Sequence, residues 1–263
     1  RVLSWMAGET WRQEVFANGG DIYCASASNM FGVPVEKHGV NGHLRQKGKV
    51  AELALGYQGG ANALISMGAL DMGLTEDELP DIVTRWRQAN PRIKDFWYAV
   101  DQAALSVMET ANPVGLAPGL IFSREVCLDN GLDFLTIQLP SGRKLFYPGP
   151  YLSDNQFGRQ AIYYRAESNY KWSKTSTYGG KLVENITQAV ARDCLAIAIR
   201  RLQEAGYQTL MHIHDEVVIE VPKDKVRENE IDIINSIMCT PIYWAPGLLL
   251  NAAGFINDYY MKD

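Results

Sequence analysis

The run KLVENITQAVARDCLAIAIRRLQEAG, residues 181–206, followed at once by YQTLMHIHDEVVIEVP, constrains this chain more than any other part of it. Val183, Ile186, Val190, Ile197 and Leu202 recur at helical spacing for about seven turns, and Gly206 stands where a helix is closed by a left-handed residue. Glu184, Gln188 and Arg192 recur every fourth residue along another face. The segment that follows predicts strand, tight turn and strand, with Pro222 ending the second. The turn carries His214, Asp215 and Glu216 against an apolar, β-branched run.

The rest of the chain is arranged around that unit. Residues 1–17 predict a helix or a helix pair, GVPVEKHGVNGH a Gly/Pro-broken connector, 44–57 a helix, and 76–110 two helices split near Pro91. In LDFLTIQLPSGRKLFYP two alternating runs flank Pro140–Arg143, a hairpin signal. From Asn155 to Gly180 the chain is polar and aromatic, which predicts a loop or an adaptable surface, and 223–239 reads as a charged helix. Four dispersed cysteines without a C-x-x-C pair disfavour a structural zinc or a disulfide framework. No run is long and apolar enough to span a bilayer, and no signal peptide is evident, so a reducing cytoplasm is the expected setting. The net charge of −5 excludes a wholly cationic nucleic-acid binder, although EKHGVNGHLRQKGK is locally basic.

Three chemistries fit the His-Asp-Glu cluster: turn capping by Asp215, acid-base work by His214, or a hard-metal site completed by substrate phosphates. Adjacent strand residues point to opposite faces, which argues against a His214–Asp215 dyad. On the helix at 44–57, Arg45, Lys49, Leu53 and Tyr57 are spaced by four, so neighbours in the series share a face that drifts by about 40° per step. A guanidinium fork and an ammonium one turn apart suit a polyphosphate, and the apolar and aromatic groups beyond them suit a base. An exposed basic helix start with a buried end accounts for the same spacing.

Three blocks, in order, resemble the polymerase domain of family A DNA polymerases, most closely the bacteriophage and prophage kind. They are RVLSWMAGETWRQEVFANGGDIYCASASNMFGVP, RQKGKVAELALGYQGG, and ENITQAVARD paired with HIHDEVVIEVP; residues 115–178 lie outside the resemblance. The resemblance implies an α+β right-hand fold, with mostly helical fingers and part of an antiparallel palm. It divides the chain into a palm segment at 1–24, fingers at 25–178 with a hairpin-containing insertion near 115–178, and a palm at 179–263. It implies that Arg45, Lys49, Leu53, Tyr57 and Tyr23 meet the incoming nucleotide, with Lys49 also serving the leaving pyrophosphate. Asp215 would bind metal, with Glu216 beside it, while Gln188 and His214 meet the primer-template and Lys181 and Arg192 are further DNA contacts by position. The implied partners are template-primer DNA and dNTPs, with Mg²⁺ as cofactor in a two-metal nucleotidyl transfer.

Several positions depart from the family pattern. Leu53 replaces Phe or Tyr, Tyr23 replaces a phosphate-binding His, Gln58 replaces a Gly, and Glu184 stands where Asn is common, with Arg192 as its expected neutraliser. The family's first catalytic Asp and sugar-screening Glu precede the segment that begins at Arg1, so the resemblance is to a C-terminal part with half a metal site and negligible extension of its own. The missing N-terminal part is then a further expected partner. A noncatalytic nucleic-acid-binding module, a single-subunit RNA polymerase and a metal hydrolase built on His212, His214 and Asp215 are the rival classes.

Overall fold

Gly8 divides the first seventeen residues: its backbone lies in the left-handed region at φ +71°, where its N–H closes α1 (Val2–Ala7) before α2 (Thr10–Ala17) begins. The computed structural model, which describes residues 1–129, 131–168 and 170–261, thus gives the helix-pair form of the expectation. Asp21 caps α3 (Ile22–Phe31) by accepting the N–H groups of Tyr23 and Cys24. A run of turns leads to α4 (Leu44–Leu55), whose Val50, Ala51 and Leu55 are fully buried. Gly48 is needed there because a Cβ would lie 2.2 Å from the Tyr23 carbonyl oxygen, so α3 and α4 meet backbone to backbone.

After α5 (Ala61–Ser66), a Thr75–Glu78 capping box and a 3₁₀ turn at Glu76–Glu78 open α6 (Leu79–Ala89), and α7 (Pro91–Thr110) restarts at Pro91, as expected. Trp86 of α6 and Trp97 of α7 stack at 6.0 Å with both rings buried, which fixes the two helices against each other.

Four antiparallel strands follow in the order β1 (Val114–Leu116), β2 (Leu120–Val126), β3 (Asp133–Gln138) and β4 (Lys144–Pro148). The expected hairpin at 140–143 joins β3 to β4, and Phe122, Leu135 and Ile137 turn their side chains into the core shared with α7. The loop expected over 155–180 is instead mostly sheet. β5 (Tyr151–Asp154), β6 (Gln160–Ser168) and β7 (Lys171–Thr177) form a second antiparallel sheet. Its inner face is anchored by Ile162 and Thr177, and by Tyr164 edge-on to Tyr147 at 5.0 Å.

The long helix, α8 (Gly179–Glu204), buries Leu182, Val183, Ile186, Val190 and Leu202. It leads into the expected hairpin of β8 (Thr209–Ile213) and β9 (Glu216–Ile219). The helix expected over 223–239 shrinks to α9 (Glu230–Met238) after a single 3₁₀ turn at Lys223–Lys225. Its start is set by Glu230, a buried carboxylate that accepts the Arg227 N–H at 2.8 Å and the Tyr207 hydroxyl. Residues near the C-terminus return to α1, where the Trp5 indole donates to the Pro246 carbonyl at 2.9 Å.

Candidate functional site

The outward face of α4 is set by what its other face buries. Glu52 is held by an ion pair with Arg12 of α2 and accepts hydrogen bonds from Ser26 of α3 at 2.8 Å and the Trp86 indole of α6 at 2.9 Å. Arg12 also donates to Asn90 at 2.7 Å, and burial brings its guanidinium pKa down to about 10. Removing one partner from a buried pair costs about 3–5 kcal/mol, so this junction fixes the rotation of α4 against three other helices.

That rotation leaves Arg45, Lys49 and Leu53 outside. The Arg45 guanidinium donates through Nε and Nη2 to Asp21 Oδ2 at 2.8 and 2.7 Å and lies 5.2 Å over the Tyr23 ring. Arg45 and Tyr23, expected to share a nucleotide, are therefore in contact. The Asp21 carboxyl is opposed by burial, but Arg45 and two backbone N–H groups outweigh this and hold it below the usual carboxylate range. Lys49 is half-buried and has no hydrogen-bond or ion-pair partner among the described residues, whereas Lys47 is spent on Glu78 at 2.8 Å. Leu53 is 47% exposed. The partner role of Asp21 was missed in the sequence; GGD before an apolar run marks a cap, but nothing local points to Arg45.

Beyond α4 the chain meets α8 through three unusual residues. Gln58 has φ +66°, a conformation that favours glycine, and its side-chain oxygen accepts the Gly180 N–H at 2.9 Å. Gln58 thus offsets its backbone cost with a bond to the first turn of α8. A Cβ on Gly180 would fall 2.5 Å from both the Tyr57 carbonyl oxygen and the Gln58 Cβ, and one on Gly179 would fall 2.0 Å from the Trp97 carbonyl oxygen. Burial raises the pKa of the adjacent Tyr57 phenol, and the charge of Glu184 adds to the shift. Among the described residues the Thr187 hydroxyl beside it makes no hydrogen bond of normal geometry.

Along the exposed stripe of α8, Lys181 pairs with Glu184 at 2.9 Å and Gln188 donates to Glu184 at 3.3 Å. The expected neutraliser is thus corrected: Lys181, one turn back, serves Glu184, while Arg192 reaches His212 Nε2 at 3.2 Å. Arg192 has only donors, so in this contact Nε2 of His212 is the accepting side. This contact ties α8 to β8. At the tip, His214 takes φ +52° and Asp215 is exposed, while Glu216 opens β9 half-buried. No hydrogen bond or ion pair among the described residues joins Asp215 or Glu216 to Arg45 or Lys49.

Among the described residues no group of three His, Cys, Asp or Glu is placed to hold a metal ion. Asp215 is a hard oxygen donor suited to Mg²⁺, but these residues alone do not compose a metal shell. Nor is any helix among them long and apolar enough to cross a membrane.

The helical unit, the antiparallel sheets and the long helix running into a hairpin define the right-hand polymerase fold. The polymerase domain of Pol1 from M. smegmatis, solved with DNA primer-template and dNTP, superposes with a TM-score of 0.56 over 91% of this chain and 34% of that one, at 17% identity. The DNA polymerase of Bacillus phage SP02 is 55% identical over 265 residues, covering all of this chain and 40% of its own length. The thermostable DNA polymerase I of Thermus thermophilus is 24% identical over 230 residues, 86% of this chain and 22% of that protein. No family model matches. The chain belongs to the family A DNA polymerases. It spans two fifths or less of the length of these curated relatives.

Proposed function

We propose that this chain supplies the fingers and part of the palm of a template-directed DNA polymerase that copies phage DNA in the host cytoplasm. The observation that carries the reading is the face of α4, where Arg45 and Tyr23 are in contact and Lys49 is a cation without a partner among the described residues. An incoming triphosphate competes with Asp21 for Arg45 and takes up Lys49, which is also placed to serve the leaving pyrophosphate; Leu53 and Tyr57 flank the sugar and base. Gln188, His214, Lys181 and Arg192 face the primer-template. The palm would comprise 1–24 and 179–263, a grouping supported by the Trp5–Pro246 bond, with the fingers at 25–178 between them.

Asp215, with Glu216 in a lesser role, would contribute one carboxylate to a Mg²⁺ pair whose remaining donors are nucleotide phosphates and a carboxylate outside the described residues. When bound, such a pair lowers the pKa of the primer 3′-hydroxyl and neutralises the triphosphate. One carboxylate leaves too few ligands for a pair of divalent ions, so extension by these 263 residues alone is expected to be negligible. The test is primer extension by the full-length protein. Asp215→Asn is expected to abolish incorporation while leaving primer-template affinity within about twofold, since it removes no phosphate-contacting cation. Undiminished incorporation by that variant contradicts the reading.

A further inference from the structure

The second sheet presents an outer face that no role above uses. Its register aligns Tyr151 with Tyr163, and Arg165 directly opposite Lys174. Tyr151 and Tyr163 stack at 5.5 Å, and the Lys174 ammonium lies 5.4 Å over the Tyr151 ring. By strand alternation Trp172, 68% exposed, stands on the same side.

Two features of this face are costly in isolation. Like charges directly opposite on neighbouring strands repel, and neither Arg165 nor Lys174 has an ion-pair partner among the described residues. On this face Arg165 and Lys174 stand against one acid, Glu167, which lies opposite Trp172, so the face is net positive in a chain whose net charge is −5. A large apolar ring is left in water beside this unneutralised pair. Open aromatic rings interleaved with unpaired cations make a stacking platform for bases with phosphates between them, which is the chemistry that holds single-stranded nucleic acid.

We propose that the outer face of β5–β7 binds single-stranded nucleic acid, and that its occupant is the unpaired template strand. β7 runs through Tyr178 directly into Gly179 of α8, so the platform adjoins the helix whose stripe is assigned to the primer-template. The choice of the template strand rests on the polymerase reading; the affinity for a single strand does not.

The test uses the full-length protein and fluorescence anisotropy with three probes: a blunt duplex, the same duplex with a ten-nucleotide 5′ overhang, and oligo(dT). Trp172→Ala is expected to weaken overhang and oligo(dT) binding about tenfold, with Trp172→Phe largely restoring it and the blunt duplex unchanged. Arg165→Gln with Lys174→Gln is expected to lower the salt slope for oligo(dT) by about 1.4. Circular dichroism checks that the variants are folded. Tight duplex binding with no overhang gain, or an overhang gain unaffected by these changes, overturns the platform, as does a loss confined to association with a protein partner. Oligo(dT) binding that depends on Trp172 without any duplex binding upholds the platform and removes the polymerase reading instead.

Discussion

Gln58 offers a quantitative test of how the segment that follows α4 is joined to α8. Its backbone sits at φ +66°, which costs an L-residue about 1–2 kcal/mol, and its side chain recovers part of that by accepting the Gly180 N–H at 2.9 Å. Gln58→Ala keeps the left-handed Cβ and loses the acceptor, leaving a part-buried donor in the first turn of α8. The expected loss is ~1–2 kcal/mol, a fall in Tm of about 2–6 °C for a chain of this size. Gln58→Gly loses the same bond but removes the left-handed cost, so the two terms cancel to about zero. Urea denaturation of both variants gives the free energies, and amide exchange at residue 180 shows whether the donor has become unprotected. If Gln58→Gly is as destabilising as Gln58→Ala, the backbone strain is not real. If neither variant changes stability or exchange, the bond does not hold α8.

Gly180→Ala should destabilise by ~1–3 kcal/mol although alanine is the better helix former, because the new Cβ meets the Tyr57 carbonyl at 2.5 Å; an upward shift of the urea midpoint would refute the close approach. His214→Gly should stabilise the hairpin by about 1 kcal/mol by relieving φ +52° while weakening primer-end binding, and a variant that loses stability contradicts the strained turn. The Asp21 carboxyl titrates below its ordinary value of 3.8, so its contribution is complete above that pH and is lost as pH falls through the lower folded value. Acid unfolding of Asp21→Asn, which keeps a capping oxygen, should accordingly show less loss of stability below pH 4 than the unsubstituted chain; equal losses would mean that Asp21 is not tied to Arg45.

How far the fold was legible depended on whether burial wrote a period into the sequence. α8 and its hairpin were, because Val183, Ile186 and Val190 face one core and Pro222 and Gly206 punctuate the ends. The sheet at 151–177 was not, because half of each strand points Tyr, Arg, Trp and Lys into solvent and the inner face is mostly Thr, Ser and Tyr, leaving little apolar alternation. The shortened α9 escaped for a different reason, since its start is fixed by Tyr207 reaching Glu230 across the fold. Within the site, the residue types on α4 were readable from four-residue spacing. Their partners were not: Asp21 lies 24 residues from Arg45, and Glu52 meets Arg12 at a separation of 40. The Lys181–Glu184 pair obeys the i, i+3 rule and was legible, whereas Arg192, eight residues from Glu184, lies two turns away.

The most direct measurement is calorimetric titration of the full-length protein with a deoxynucleoside triphosphate and with the corresponding monophosphate. Arg45→Ala and Lys49→Ala should each weaken triphosphate binding about tenfold or more, the worth of a charge-assisted hydrogen bond, and leave the weak monophosphate binding nearly unchanged. Triphosphate affinity that is the same in both variants as in the unsubstituted protein would contradict the assignment of the α4 face to the nucleotide.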